Sequence, residues 1–254
     1  MSVNPDWYEA IFTRHSCREF NQNGLSDFEF NEMRKFGAIY KQFGSEVRVR
    51  IAASGGSAVF KSVMGFGGVK GVDAYMAFVG ESKITNESLV KIGYAGEAAI
   101  LEAVRLGLDT CWNVSLFQPI KVRSQLNIED TKQVYGVSPL GHALTKSINK
   151  SHKRKEMKAI VIGDQQELWQ ASALEAARLA PSAYNRQPWR FVIGGESILL
   201  RLDTLQTMDR GISKYLDCGA VMLHLELGAL RAGKPGKWQY ILKDSDVARF
   251  TIES

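Results

Sequence analysis

Apolar positions recur along the chain with two spacings, one helical and one extended. Trp7, Ala10 and Ile11 share one helical face, which predicts a short helix over residues 6–13. Ser26 with Glu29 three residues on forms a capping-box pattern and predicts a helix from there to about Ile39. Residues 46–52 alternate and are β-branched, a strand pattern, and 72–79 is a compact apolar run that reads as a buried strand. Residues 53–71, rich in glycine and serine, read as an irregular surface segment. Residues 93–107 and 219–233 are apolar nearly all round, as expected of helices buried against each other. Both have the form Gly-x13-Gly-x4-Trp, ending at Trp112 and Trp238, which points to an internal repeat. Strands are predicted at 134–140, 159–162, 190–193 and 197–202, a helix at 167–179, and edge strands at 239–242 and 250–252.

Composition narrows the class. At 254 residues, 45% hydrophobic and 23% charged, the chain reads as an ordinary globular protein able to bury a sizeable core. The balance of 32 basic against 27 acidic residues gives +5, part of it concentrated in the run 146–158. That run lacks interleaved aromatic residues, so nucleic acid is not the expected partner. Cys17, Cys111 and Cys218 are far apart and odd in number, which argues against a disulfide framework and for a reducing compartment. We expect no signal peptide, no membrane span and a cytoplasmic location. The four histidines have no partners at ligand spacing, so no metal site is expected.

Two short segments carry chemistry. Arg14-His15-Ser16-Cys17-Arg18 places two guanidiniums and a hydroxyl at alternate positions, which an extended backbone turns to one side. Such a set suits a phosphate group. Ala180-Pro181-Ser182-Ala183-Tyr184-Asn185-Arg186-Gln187-Pro188-Trp189 ends a helix at the proline, then offers a hydroxyl and an amide before the next strand. The glycine cluster 65–71 does not fit the Gly-x-Gly-x-x-Gly register and precedes a strand, so it reads as a flexible loop, a lid beside the site.

Together these segments resemble the FMN-dependent nitroreductase family, whose Ala-Pro-Ser-x-x-Asn-x-Gln-Pro-Trp motif matches 180–189 and whose Arg-x-Ser-x-Arg motif matches 14–18. The resemblance implies an α+β nitroreductase-like fold, with mostly antiparallel sheets flanked by helices. It implies FMN held by Arg14, His15, Ser16 and Arg18, and by Pro181, Ser182, Ala183 and Asn185. The loop Asn113-Val114-Ser115 matches the segment that runs along the flavin in relatives, but lacks their glycine; a purely structural turn is the other reading. Lys153 or Arg154 matches the basic residue that reaches the phosphate.

In relatives the two motifs lie close in one chain; here each half keeps one. Residues 34–41 lack the proline, serine and asparagine expected there, and no Arg-x-Ser-x-Arg precedes 167–171. The chain is therefore similar to a subgroup in which two fused copies, about 1–160 and 161–254, imitate the usual homodimer within a single compact unit. One flavin site and a monomer follow as expectations. The implied activity is electron transfer from transiently bound NAD(P)H, through flavin, to a nitroaromatic, quinone or related small acceptor. The flavin would carry the chemistry, with no catalytic side chain. The alternative is a flavin- or ligand-binding protein on the same scaffold, without turnover.

Overall fold

The structure, a computed structural model, describes residues 3–40, 42–60, 68–145, 153–165, 167–203 and 211–253. Lys146, Lys150 and His152 of the basic run, and residues 65–67 of the 65–71 glycine cluster, lie outside the described residues. The chain divides into two compact units. The first takes Thr13–Ile84 and Ala98–Ser151; the second takes Val3–Phe12, Thr85–Glu97 and His152–Ser254.

In the first unit, helix α2 (Asp27–Ile39) begins with the anticipated capping box: Ser26 Oγ accepts from the Glu29 N–H, and Glu29 returns to the Ser26 N–H at 2.8 Å. Met33 and Phe36 are its buried face. Strands β1 (Val47–Ala52), β2 (Tyr75–Glu81) and β3 (Lys132–Pro139) form an antiparallel sheet in the order β1-β2-β3. Because β2 is central, six of its seven residues are buried, and this explains an apolar run without alternation. Tyr75, Ala77 and Val79 pack in a core with Phe20, Val59, Phe60, Val122 and Val137. Short helix α5 (Pro119–Gln125) starts on a proline, whose missing N–H has no partner to lose in a first turn.

The expectation of an irregular segment over 53–71 is corrected by a short helix, α3 (Gly56–Val59), with Val59 and Phe60 buried. Gly55 turns the chain at φ +93° and donates to Asp73 Oδ1, while Gly56 donates to the Asp73 carbonyl. A single turn is too short to create a readable period.

In the second unit, α1 (Trp7–Thr13), which ends one residue into the first unit, buries Trp7, Ala10 and Ile11 as predicted. A five-stranded sheet runs β4-β5-β6-β8-β7, with β4 (Val161–Ile162), β5 (Trp189–Ile193), β6 (Ser197–Leu202), β7 (Gly236–Lys243) and β8 (Asp246–Ile252). Only β4 and β5 are parallel. Two expectations are corrected here. Residues 157–159 form a helical turn, leaving only Val161 and Ile162 as strand. And β8 is an interior strand between β6 and β7, consistent with its buried Val247, Ala248 and Phe250.

Helix α6 (Leu168–Arg178) packs on α7 (Lys214–Arg231), where Ser172 Oγ donates to the Gly228 carbonyl at 2.8 Å. The long helix α4 (Asn86–Arg105) contributes residues 86–97 to this unit. It meets α7 at two glycines. A Cβ at Gly93 would strike the Leu216 backbone; one at Gly219 would strike the Val90 carbonyl and lie 2.8 Å from the Gly93 carbonyl carbon. An offset of 126 residues relates 93 to 219 and 90 to 216, so the contact of 93 with 216 has 219 with 90 as its counterpart. The two contacts are thus reciprocal, the pattern an isologous interface has. Below it, buried His224 bonds Glu97 Oε1 at 2.8 Å through Nε2 and the Ala176 carbonyl at 3.1 Å through Nδ1.

Gly107 and Gly233 follow helix ends with φ of +84° and +74°, the left-handed residue that helix termini favour. Among the described residues no helix is long and apolar enough to cross a membrane.

Candidate functional site

The first motif lies in the first unit. After α1 the chain runs extended: Ser16 bridges Thr110 in parallel, Cys17 N–H donates to the Thr110 carbonyl at 2.8 Å, and Phe20 N–H donates to Lys70. This pairing sets residues 14–18 alongside 109–111. Arg14 is buried at 3% exposure, whereas Ser16 and Arg18 are exposed. All three act on the Cys111 thiol. Burial pushes that thiol's pKa up, while the Arg18 charge, a hydrogen bond with Ser16 and the Arg14 charge oppose the rise. Two guanidinium charges and a hydroxyl thus act in the neighbourhood of Cys111, a field that favours an anion. His15 stands 3.5 Å from Asp109, whose other carboxylate oxygen accepts from the Ala143 N–H at 2.7 Å. Its contacts are to the protein's own loop.

The loop after Cys111 is tied to β3. Asn113 exchanges both backbone hydrogen bonds with Val137. Its carboxamide closes a turn on Leu116, donating to the carbonyl and accepting from the N–H, both at 2.8 Å. Val114 is half-buried and Ser115 exposed; both line an open cavity of about 600 Å³ with Phe117, Arg123, Lys132 and Val134.

The second motif lies in the second unit, together with the described part of the basic run. Asn185 donates to the Lys153 carbonyl at 2.7 Å and accepts from Arg154 at 3.0 Å. Arg154 also donates to the carbonyls of Leu179 and Lys153. Lys155 donates its backbone N–H to Gln187 Oε1 at 2.7 Å and its ammonium to the Gln187 carbonyl at 3.0 Å. Burial lowers the Lys155 pKa, opposed by the Asp203 carboxylate 3.6 Å away. Ser182 Oγ accepts from the Gln187 N–H, closing the loop on itself at 2.8 Å. Pro181, Ser182 and Ala183 are half-buried, Asn185 and Lys153 exposed, and Trp189 fully buried as a packing residue.

This loop is strained. Tyr184, Asn185 and Gln187 have φ of +53°, +55° and +48°, the left-handed region that residues with a Cβ avoid. Each such residue costs about 1 kcal/mol or more and persists only where its surroundings impose it. Tyr184 nonetheless keeps half its surface exposed, at 51%. A residue absent from the sequence motifs is bonded to both ends of this turn. Asp217, in the first turn of α7, accepts from the Ala183 N–H at 2.9 Å and from Arg186 Nε at 2.7 Å, and all but a few percent of the ion pair is buried.

The predicted residues therefore form two groups: Arg14, Ser16 and Arg18 in the first unit, and Lys153, Arg154 and residues 181–185 in the second. Sequence reasoning missed Cys111 and Asp217. Asp217 follows the N-cap Ser213 by four residues, a helix-start signal, but nothing in the sequence ties it to residue 183. Among the described residues no group of three or more metal-ligating side chains is assembled.

No curated protein matches the chain. Among solved structures, a protein from Thermotoga maritima MSB8 described as a "putative nitroreductase" aligns over 98% of this chain and 94% of its own, at 19% identity and a TM-score of 0.70. A protein from Bacteroides thetaiotaomicron VPI-5482, described as "Putative NADH dehydrogenase/NAD(P)H nitroreductase", aligns over 65% of this chain and 100% of its own, at 17% identity and a TM-score of 0.50. At these identities the likeness establishes the nitroreductase-like α+β fold. The family model described as "Putative TM nitroreductase" matches residues 6–229. The chain belongs to this nitroreductase family.

Proposed function

We propose that this protein is an FMN-dependent oxidoreductase that passes electrons from NAD(P)H to a small acceptor of the nitroaromatic or quinone class. One observation carries the reading: the segment 14–18 is held in extended pairing along Thr110, next to Cys111, where the Arg14 and Arg18 charges and the Ser16 hydroxyl act on the thiol. A phosphate monoester with nearly two negative charges needs guanidinium forks and a hydroxyl donor, and this set supplies them. The residues present therefore fit the group. Bound FMN would supply the redox chemistry, accepting electrons from the nicotinamide and releasing them to the acceptor.

The chain's own residues would bind and orient. Arg14, buried, presents its guanidinium from a fixed position, and Ser16 and Arg18 complete the anion contacts. Of the two basic-run candidates for a phosphate, Lys153 suits the role better, because it is exposed while Arg154 is engaged with Leu179, Lys153 and Asn185. Ser182 retains its hydroxyl hydrogen after accepting from Gln187, and so can donate to a ring acceptor. Solvent supplies protons.

We read the chain as two fused copies acting as a monomer. The reciprocal contacts of Gly93 with Leu216 and Gly219 with Val90 support this, since a homodimer's twofold would make the same pair from two chains. A second reading, flavin binding without turnover, draws on Asn113, whose backbone and carboxamide groups are all engaged within the protein. Anaerobic addition of NADH or NADPH to the yellow protein separates the two. Bleaching of the flavin absorbance supports the oxidoreductase; yellow protein that keeps its colour supports the binding module.

A further inference from the structure

The residues that hold the Pro181–Asn185 loop in shape point to a role for a side chain outside both motifs. Asp217 is 6% exposed and its two carboxylate oxygens reach opposite ends of the loop, Ala183 N–H on one side and Arg186 Nε on the other. Tyr184 and Asn185, the two residues between these anchors, both have positive φ without being glycine. Asp217 itself is held by the helix that bears it. It sits in the first turn of α7 after the Ser213 cap, where the helix N-terminus favours a negative charge, and α7 is wedged on α4 two residues later at Gly219. A carboxylate fixed in this way braces both ends of a loop whose central residues have unfavourable positive φ. The turn also has bonds of its own, from the Asn185 N–H to the Ser182 carbonyl at 2.9 Å, from the Arg186 N–H to the Ala183 carbonyl at 3.1 Å and from the Gln187 N–H to Ser182 Oγ at 2.8 Å; the Asp217 carboxylate ties that turn to α7.

We propose that Asp217 is a positioning residue: through Ala183 and Arg186 it holds Tyr184 and Asn185 in the left-handed geometry in which they face the flavin and its substrates. This rests on the reading of the protein as a flavin oxidoreductase for what the loop touches, but not for what Asp217 does to the loop. Asp217 contacts neither cofactor nor acceptor in this account.

The test compares Asp217→Asn with wild type in two readouts. Hydrogen exchange in flavin-free protein, followed on a peptide covering 182–187, should accelerate at least tenfold in Asp217→Asn, with peptides from β5 and β6 unchanged. After reconstitution to equal flavin content, the rate of anaerobic flavin reduction should fall about tenfold. Replacing Tyr184 by glycine in the Asp217→Asn background should restore that rate to within about threefold of Tyr184→Gly alone, because glycine takes positive φ without strain. If Asp217→Asn does not fold, Arg186→Lys, which keeps the charge but changes the fork geometry, takes its place with the same expectations. Unchanged exchange over 182–187 overturns the proposal whatever the protein binds. Faster exchange with wild-type reduction at equal flavin content, or no recovery in the double variant, also overturns it. Wild-type protein that takes no FMN removes the oxidoreductase reading, and the exchange result then still decides whether Asp217 shapes the loop.

Discussion

Glu226 shows how much one side chain's surroundings can shift its chemistry. It lies on α7 and accepts from the Tyr94 hydroxyl at 2.9 Å and from Trp238 Nε1 at 3.1 Å. Burial pushes its pKa up to about 7, and the two hydrogen bonds only partly oppose this. The unfolded chain releases the proton near 4.5, so the folded protein binds more protons between these values. Its contribution to stability is therefore full below about pH 4.5 and is lost as pH rises through 7. The loss amounts to roughly 3 kcal/mol at most, from about 1.4 kcal/mol per pKa unit. Glu226→Gln, which cannot ionise, should match wild type in denaturant melts near pH 4.5 and exceed it at pH 8. A constant difference across that range would contradict the assignment.

At the scale of elements, the α4–α7 crossing makes a sharp claim. Gly219→Ala and Gly93→Ala each push a Cβ into backbone that cannot step aside, and each should lower stability by about 3 kcal/mol in chemical denaturation. Gly195→Ala, with nothing within 4 Å, should change it by less than about 0.5 kcal/mol. Equal losses at all three positions would remove the close crossing.

The same glycines show where the sequence was readable and where it was not. Trp7, Ala10 and Ile11 announced α1, and Ser26 with Glu29 announced α2, because their signals are local. Reading Gly93 and Gly219 as helix starts placed both boundaries too late: α4 begins at Asn86 and α7 at Lys214. Those two glycines serve a contact between distant segments and carry no local signature of it. Gly107 and Gly233 were legible as helix ends because positive φ is a local demand. The candidate site divides in the same way. Arg14, Ser16 and Arg18 stand out by spacing, whereas Cys111 joins them only through the pairing of Ser16 with Thr110. Asn185 was legible in its motif; its bonds to Lys153 and Arg154, some thirty residues earlier, were not.

At the scale of the whole molecule, the proposal is one chain doing the work of a homodimer and binding a single flavin. Monomeric protein in light scattering, carrying one FMN per chain, is the expected state. The central claim is tested most directly by titrating FMN into wild type, Arg14→Ala and Lys153→Ala, followed by flavin fluorescence. The account predicts one site per chain in wild type and a fall in its affinity of about tenfold or more in each variant, with far-ultraviolet circular dichroism unchanged. A variant in either unit that binds FMN as wild type does would contradict it.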